Sequence, residues 1–143
     1  MRDNSYTNSE LRDLKTQYDA LIYFIGKLDI DMIDSILDNN LTYQDFPKYQ
    51  FVQKLGCALN RFTSHGDTQL YKYTGTCSSS LCSKGCKGIR FVGNKSGLFM
   101  DLVIIENEGN INDIYECHEF STVSPKKVII QKVFIDTKDL FAD

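Results

Sequence analysis

The stretch TGTCSSSLCSKGCKG, residues 74–88, holds three of the chain's five cysteines, Cys77, Cys82 and Cys86, in a C-x4-C-x3-C spacing. Thiolates bind zinc well, and a structural zinc takes four ligands in a tetrahedron. Three sulfurs can point inward from one small loop at this spacing, and Cys117, or His118 beside it, is the natural fourth ligand. The spacing departs from paired C-x2-C knuckles, and Ser78, Ser79, Ser80, Gly85 and Gly88 suit an unliganded hairpin tip as well as a metal loop. Lys84 and Lys87 flank the segment and would favour a thiolate, which keeps a redox thiol in view. A structural zinc, a disulfide and free thiols all remain open.

A second constellation centres on Asp101, in the apolar run FMDLVIIE. The turn ENEGN reads as a three-residue hairpin loop, Asn107, Glu108 and Gly109, with the glycine left-handed. That closure pairs Glu106 with Asn110 and sets Asp101 opposite Tyr115, Val103 opposite Asp113 and Phe99 opposite Cys117. A loop one residue longer joins Asp101 to Glu116 and His118 instead. A carboxylate beside Tyr or His in a dry pocket has its proton affinity raised and can serve as a general base, with Tyr115 or His118 as hydrogen-bonding partner. Mid-strand acids more often face water or pair across strands, so Asp101, Tyr115 and His118 stand as weak candidates and no catalytic residue is assigned.

Other combinations fail on geometry. Cys117 and His118 are consecutive in a strand, so their side chains leave opposite faces and cannot form a nucleophile and base pair. GNKSG, residues 93–97, resembles the tail of a phosphate loop, but it lacks the upstream glycine and joins strand to strand. It reads as a turn. His65 sits where it would cap a helix carboxyl end, and Cys57 reads as a small buried filler.

The elements that must position these residues follow from periodicity. Leu11, Leu14, Tyr18, Leu21, Ile22, Ile25 and Leu28 form one stripe on a helix over 8–28, capped by Asn8 or Ser9. A short helix follows in KLDIDMIDSILDNN, with Asp29 as its cap and Asn39 and Asn40 at its end. Residues 41–46 read as a short strand, and Pro47 suits the first turn of a third helix running to Ser64, stopped by Gly66. Thereafter the period becomes extended, with strands over 69–76, 87–93, 98–106, 110–120 and 127–135. The nearly continuous apolar run FMDLVIIE implies a central strand covered on both faces.

This order of elements, with YFIGKLDIDMIDSILDNNLTYQDF, resembles the NTF2-like or SnoaL-like family of the cystatin-like fold. Gly26, Asp29, Ile33, Ile36, Leu37 and Tyr43 carry the resemblance. It implies an α+β domain in which three N-terminal helices pack on a strongly curved antiparallel β-sheet, with a pocket between helices and sheet and frequent dimerisation. The family includes isomerases, dehydratases and non-enzymatic binding domains, so the fold does not select among them.

The chain's 143 residues suit one domain, and 42% hydrophobic with 24% charged content is ordinary globular usage. A net charge of -3, with no basic patch, argues against nucleic acid as a partner. No apolar run approaches the length of a membrane span, and the first residues lack a secretory leader, which points to the cytoplasm and to reduced thiols. The leading expectation is a non-enzymatic domain, a homodimer, that binds a small apolar ligand or a partner protein and needs no cofactor. The rivals are an isomerase or dehydratase using Asp101, and an accessory protein stapled by zinc.

Overall fold

A computed structural model of the chain describes residues 6–76, 87–116 and 132–135. Within these residues the protein is α+β: four helices, a four-stranded antiparallel sheet and a two-stranded hairpin.

The helix expected over 8–28 is two helices, α1 (Asn8–Arg12) and α2 (Gln17–Gly26). Two capping threonines split it. Thr7 forms a capping box with Glu10, while Thr16, extended at φ -130° and ψ 163°, accepts the backbone N–H of Asp19 and starts α2 afresh. The apolar stripe is buried only within α2, through Leu21, Ile22, Phe24 and Ile25, whereas Leu11 in α1 is exposed. Asp29 caps α3 (Ile30–Ile36) as expected, accepting the Met32 N–H at 3.2 Å. Helix α3 ends before Asn39 and Asn40, where Leu37 turns extended and buries its side chain.

Residues 41–46 do not make one strand. Thr42–Tyr43 (β1) and Phe46–Pro47 (β2) pair as a tight hairpin whose central residues, Gln44 and Asp45, have φ of 51° and 66°. Two left-handed residues in a two-residue loop match the twist of a hairpin. The fold-back lets Tyr43 bury completely against Phe51 while Pro47 becomes the N-cap of α4 (Lys48–Ser64). Helix α4 turns Phe51, Leu55, Ala58, Leu59 and Phe62 inward and leaves Cys57 exposed, so Cys57 is no core filler. At its end Gly66 has φ 94°, and His65 Nδ1 lies 2.8 Å from the Arg61 carbonyl oxygen.

Strands β3 (Leu70–Thr76), β4 (Lys87–Gly93), β5 (Phe99–Asn107) and β6 (Asn110–Glu116) lie side by side in chain order. Leu70, Ile89, Phe91, Met100, Leu102, Ile104, Ile111 and Ile114 join the helices in one core. Strand β5 is buried from Phe99 to Ile104, as its unbroken apolar character requires. Residues 127–131 of the expected last strand lie outside the described residues. Residues 132–135 meet the start of β5: Lys132 bridges Phe99 in parallel, Val133 donates its N–H to the Phe99 carbonyl, and Val133 and Ile135 enter the core.

The turn after β4 is held from outside the sheet. Buried Asp67 accepts the N–H groups of Lys95 and Ser96 at 2.8 Å each, and the Ser96 hydroxyl at 2.5 Å. The resemblance of 93–97 to a phosphate loop thus has a physical basis: its amides do cradle an anion, which is the protein's own carboxylate. Burial would raise the Asp67 carboxyl, but the Ser96 and Lys95 hydrogen bonds, helped by His65, outweigh that and hold it below the ordinary carboxylate range.

Candidate functional site: the cleft between α2 and the sheet

The β5–β6 turn closes with two residues, Glu108 and Gly109, both left-handed at φ 52° and 85°. Asn107 therefore faces Asn110 and Glu106 faces Ile111. A bulge then leaves Asn112 unmatched, because the next pair is Ile105 with Asp113. Beyond it Val103 faces Tyr115 and Leu102 faces Glu116, so the expected pairing of Asp101 with Tyr115 is displaced by two residues, and neither expected register holds throughout.

Asp101 finds its partner on the other side, across β4. Arg90 is its direct cross-strand neighbour and grips it with two hydrogen bonds, Nε to Oδ1 at 2.7 Å and Nη2 to Oδ2 at 3.0 Å. Lys132 Nζ adds a contact at 3.5 Å to Oδ2. The Arg90 guanidinium also lies over the Phe99 ring at 4.3 Å. Asp101 is 1% exposed and belongs to the sheet face turned away from the helices, opposite to Met100 and Leu102. His118, Cys77, Cys82, Cys86 and Cys117 lie outside the described residues. Among the described residues no three His, Cys, Asp or Glu side chains gather as a metal site.

On the helix side the structure forms a cleft of about 400 Å³. Its geometry begins with how α2 is tethered. At the start of α2, Tyr18 donates its N–H to the Gly109 carbonyl at 2.9 Å, and Gln17 bridges two elements, receiving the Ile111 N–H at 2.7 Å and donating to the Ile36 carbonyl at 2.6 Å. At its end Gly26 sits against β3, where a Cβ would lie 3.4 Å from the Leu70 carbonyl oxygen. Helix α2 thus runs obliquely over the sheet, from the start of β6 to the start of β3, and the cleft lies along its β3 side.

One face of α2 forms the wall, with Asp19, Ile22, Tyr23, Gly26 and Lys27. Gln69, Leu70 and Lys72, with Phe91 of β4, form the floor, and Lys72 and Phe91 are cross-strand partners. Asp13 and Leu14, between α1 and α2, close one side. The centre is apolar, through Leu14, Ile22, Leu70 and Phe91, while charges of both signs stand at the rim.

Tyr23 is the most perturbed group in this wall. Burial and a hydrogen bond to the Glu10 carboxylate, which the phenol donates to Oε2, push its pKa up to about 12. The same bond, with the Thr7 amide and hydroxyl, lowers Glu10 below its ordinary value. Lys27 Nζ lies 5.5 Å from the Tyr23 ring centroid. Sequence reasoning placed a pocket between helices and sheet but named none of these lining residues as a site. Asp19, Tyr23, Gly26 and Lys27 carry a signal in the sequence, since their spacing puts them on one helical flank next to Ile22 of the buried stripe.

Comparison of the chain with protein-family models, with curated proteins and with solved structures finds no match.

Proposed function

We propose that the chain is a non-enzymatic binding domain of the NTF2-like kind, which takes a small, mostly apolar molecule with a polar end in the cleft between α2 and β3–β4. The observation that carries this reading is the cleft itself. Its volume of about 400 Å³ falls in the range of small-molecule sites, and its apolar centre with a few convergent polar groups is the usual make-up of such sites. The position also agrees with the resemblance to the cystatin-like cone, which implies a pocket between helices and sheet. Leu14, Ile22, Leu70 and Phe91 would supply contact area, and Lys27 or Lys72 would meet an anionic group.

The rival enzyme reading draws less support. Asp101 carries two cations on its two oxygens and lies on the opposite face of the sheet from the cleft. A general base needs a free lone pair within reach of a substrate proton.

The test is an amide-resolved titration with a library of small aromatic and aliphatic acids. Binding should perturb Ile22, Leu70 and Phe91 together, and Leu14→Asp, which places a charge at the half-buried edge of the cleft, should weaken the same ligands at least tenfold, about 1.4 kcal/mol. A library that perturbs none of these amides removes the reading.

A further inference from the structure

We infer that residues 6–14 form a strap whose docking is coupled to occupancy of the cleft, so that a molecule bound between α2 and β3 holds the strap down. This rests on the reading of the cleft as a ligand site and adds a moving part to it.

Helix α1 buries none of its five residues, and its Leu11 is 38% exposed, so the helix is not anchored through a core-facing stripe of its own. It is tied down by phenols. Tyr23 of α2 donates its hydroxyl hydrogen bond to Glu10 in the middle of α1. Ahead of α1, Tyr6 donates to Asp29 Oδ2 at 2.6 Å and packs edge-on against Tyr23 and Phe24, with centroids 5.8 Å and 5.4 Å away. Behind α1, Asp13 and Leu14 become part of the cleft wall.

Tyr23 therefore belongs to both structures: it lines the cleft, and its hydroxyl holds the strap. A ligand touching Leu14 makes a contact that exists only while the strap is docked, and one that also packs on Tyr23 touches the residue whose hydroxyl holds the strap. Thermodynamic linkage then requires the reciprocal effect, that docking the strap strengthens ligand binding by the same factor. Of the segment's apolar side chains only Tyr6 and Leu14 pack against the core, each partly buried, and a segment with so few buried contacts is the kind that opens locally without global unfolding.

The test is hydrogen exchange on the full chain, read peptide by peptide, with and without the apolar anion anilinonaphthalene sulfonate. In the free protein Tyr23→Phe should speed exchange over 6–14 about fivefold, the factor that one ordinary hydrogen bond corresponds to, with α4 unchanged. In the original chain the probe should slow exchange both at Ile22 and Leu70 and over 6–14, and the second effect should shrink in Tyr23→Phe. Protection at Ile22 and Leu70 with unaltered exchange over 6–14 overturns the coupling and leaves the cleft reading standing. Protection at neither overturns both. Should Tyr23→Phe lose its fold, Glu10→Gln keeps the cap of α1, removes the charge that Tyr23 grips, and must show the same faster exchange over 6–14 for the coupling to hold.

Discussion

Asp101 lies opposite Arg90 because the turn of residues 94–97 fixes the β4–β5 register, and the buried carboxylate then meets the cations of Arg90 and Lys132. Asp101 and Lys132 are buried, at 1% and 3% exposure, whereas the Arg90 side chain is about a quarter exposed at 25%. Removing one member of a buried pair costs more than the pair itself contributes, because the partner is left unneutralised. Asp101→Asn should therefore lower unfolding stability by about 3 kcal/mol in urea titration. Arg90→Met should cost less, since Arg90 keeps partial access to water and its replacement can still cover Phe99. Equal losses from the two would mean that the network is not organised around the carboxylate. This ion pair was within reach of the sequence: Arg90 and Asp101 stand three residues outside Gly93 and Leu98, the pair that closes the turn.

Gly93 joins two elements that sequence alone keeps apart, the end of α4 and the β4–β5 turn. A Cβ on Gly93 would stand 2.0 Å from Asp67 Oδ2, so the carboxylate and the turn amides that it binds leave no room for one. Gly93→Ala should destabilise by about 2 kcal/mol, within the usual span for overpacking. The same change made in an Asp67→Ala background should cost clearly less, because the closest clashing group is gone and only the Ser96 hydroxyl, at 2.7 Å, remains to give way, and a double-mutant cycle reads the difference. Additive losses would show that the clash with Asp67 is not the cause. Helix α2 gives a parallel case. Thr16→Ala removes its cap and should cost about 1 kcal/mol, with faster exchange at the Asp19 amide marking the site. The break between α1 and α2 is invisible to periodicity because Leu11 and Leu14 keep the spacing of the α2 stripe although Leu11 is exposed; spacing cannot see a cap placed inside a regular period.

At the level of the whole molecule, pH dependence follows from groups whose titration differs between folded and unfolded chains. Glu10 and Asp67 are lowered from 4.5 and 3.8, so their contribution is present above those values and is lost as pH falls through the lowered folded ones. Tyr23, Tyr18 and Tyr43 are raised from 10.0, in each case chiefly by burial, so theirs is present below pH 10 and is lost as pH rises, for Tyr23 toward about 12. Stability measured against pH should show a plateau between these limits. Its alkaline edge should move in Tyr23→Phe, whereas its acid edge should soften in Asp67→Ala. Because Glu10 and Tyr23 form one contact, exchange over 6–14 should rise at both edges before the global transition; a rise only together with unfolding would mean that α1 has no opening of its own. No helix among the described residues is long and apolar enough to cross a membrane.

Local chemistry was enough to fix the α+β class, the bounds of β4 to the residue, the capping of α3 by Asp29, the left-handed stop at Gly66 and the two-sided burial of β5. Each depends on the preferences of a few neighbouring residues or on a period along one element. The register of β5 on β6, the folding back of 41–46 into a hairpin and the exposure of Cys57 were decided only in three dimensions. So was the cleft, whose walls come from the α1–α2 connection, α2, β3 and β4. Those outcomes depend on which elements share a surface: a two-residue loop with Glu108 left-handed becomes tolerable once Gly109 accepts the Tyr18 amide, and Tyr43 turns inward because Phe51 waits there. Gly109 and Tyr18 are too far apart in the chain for any window of sequence to contain both, and Tyr43 and Phe51, though close in sequence, meet only once the hairpin folds back.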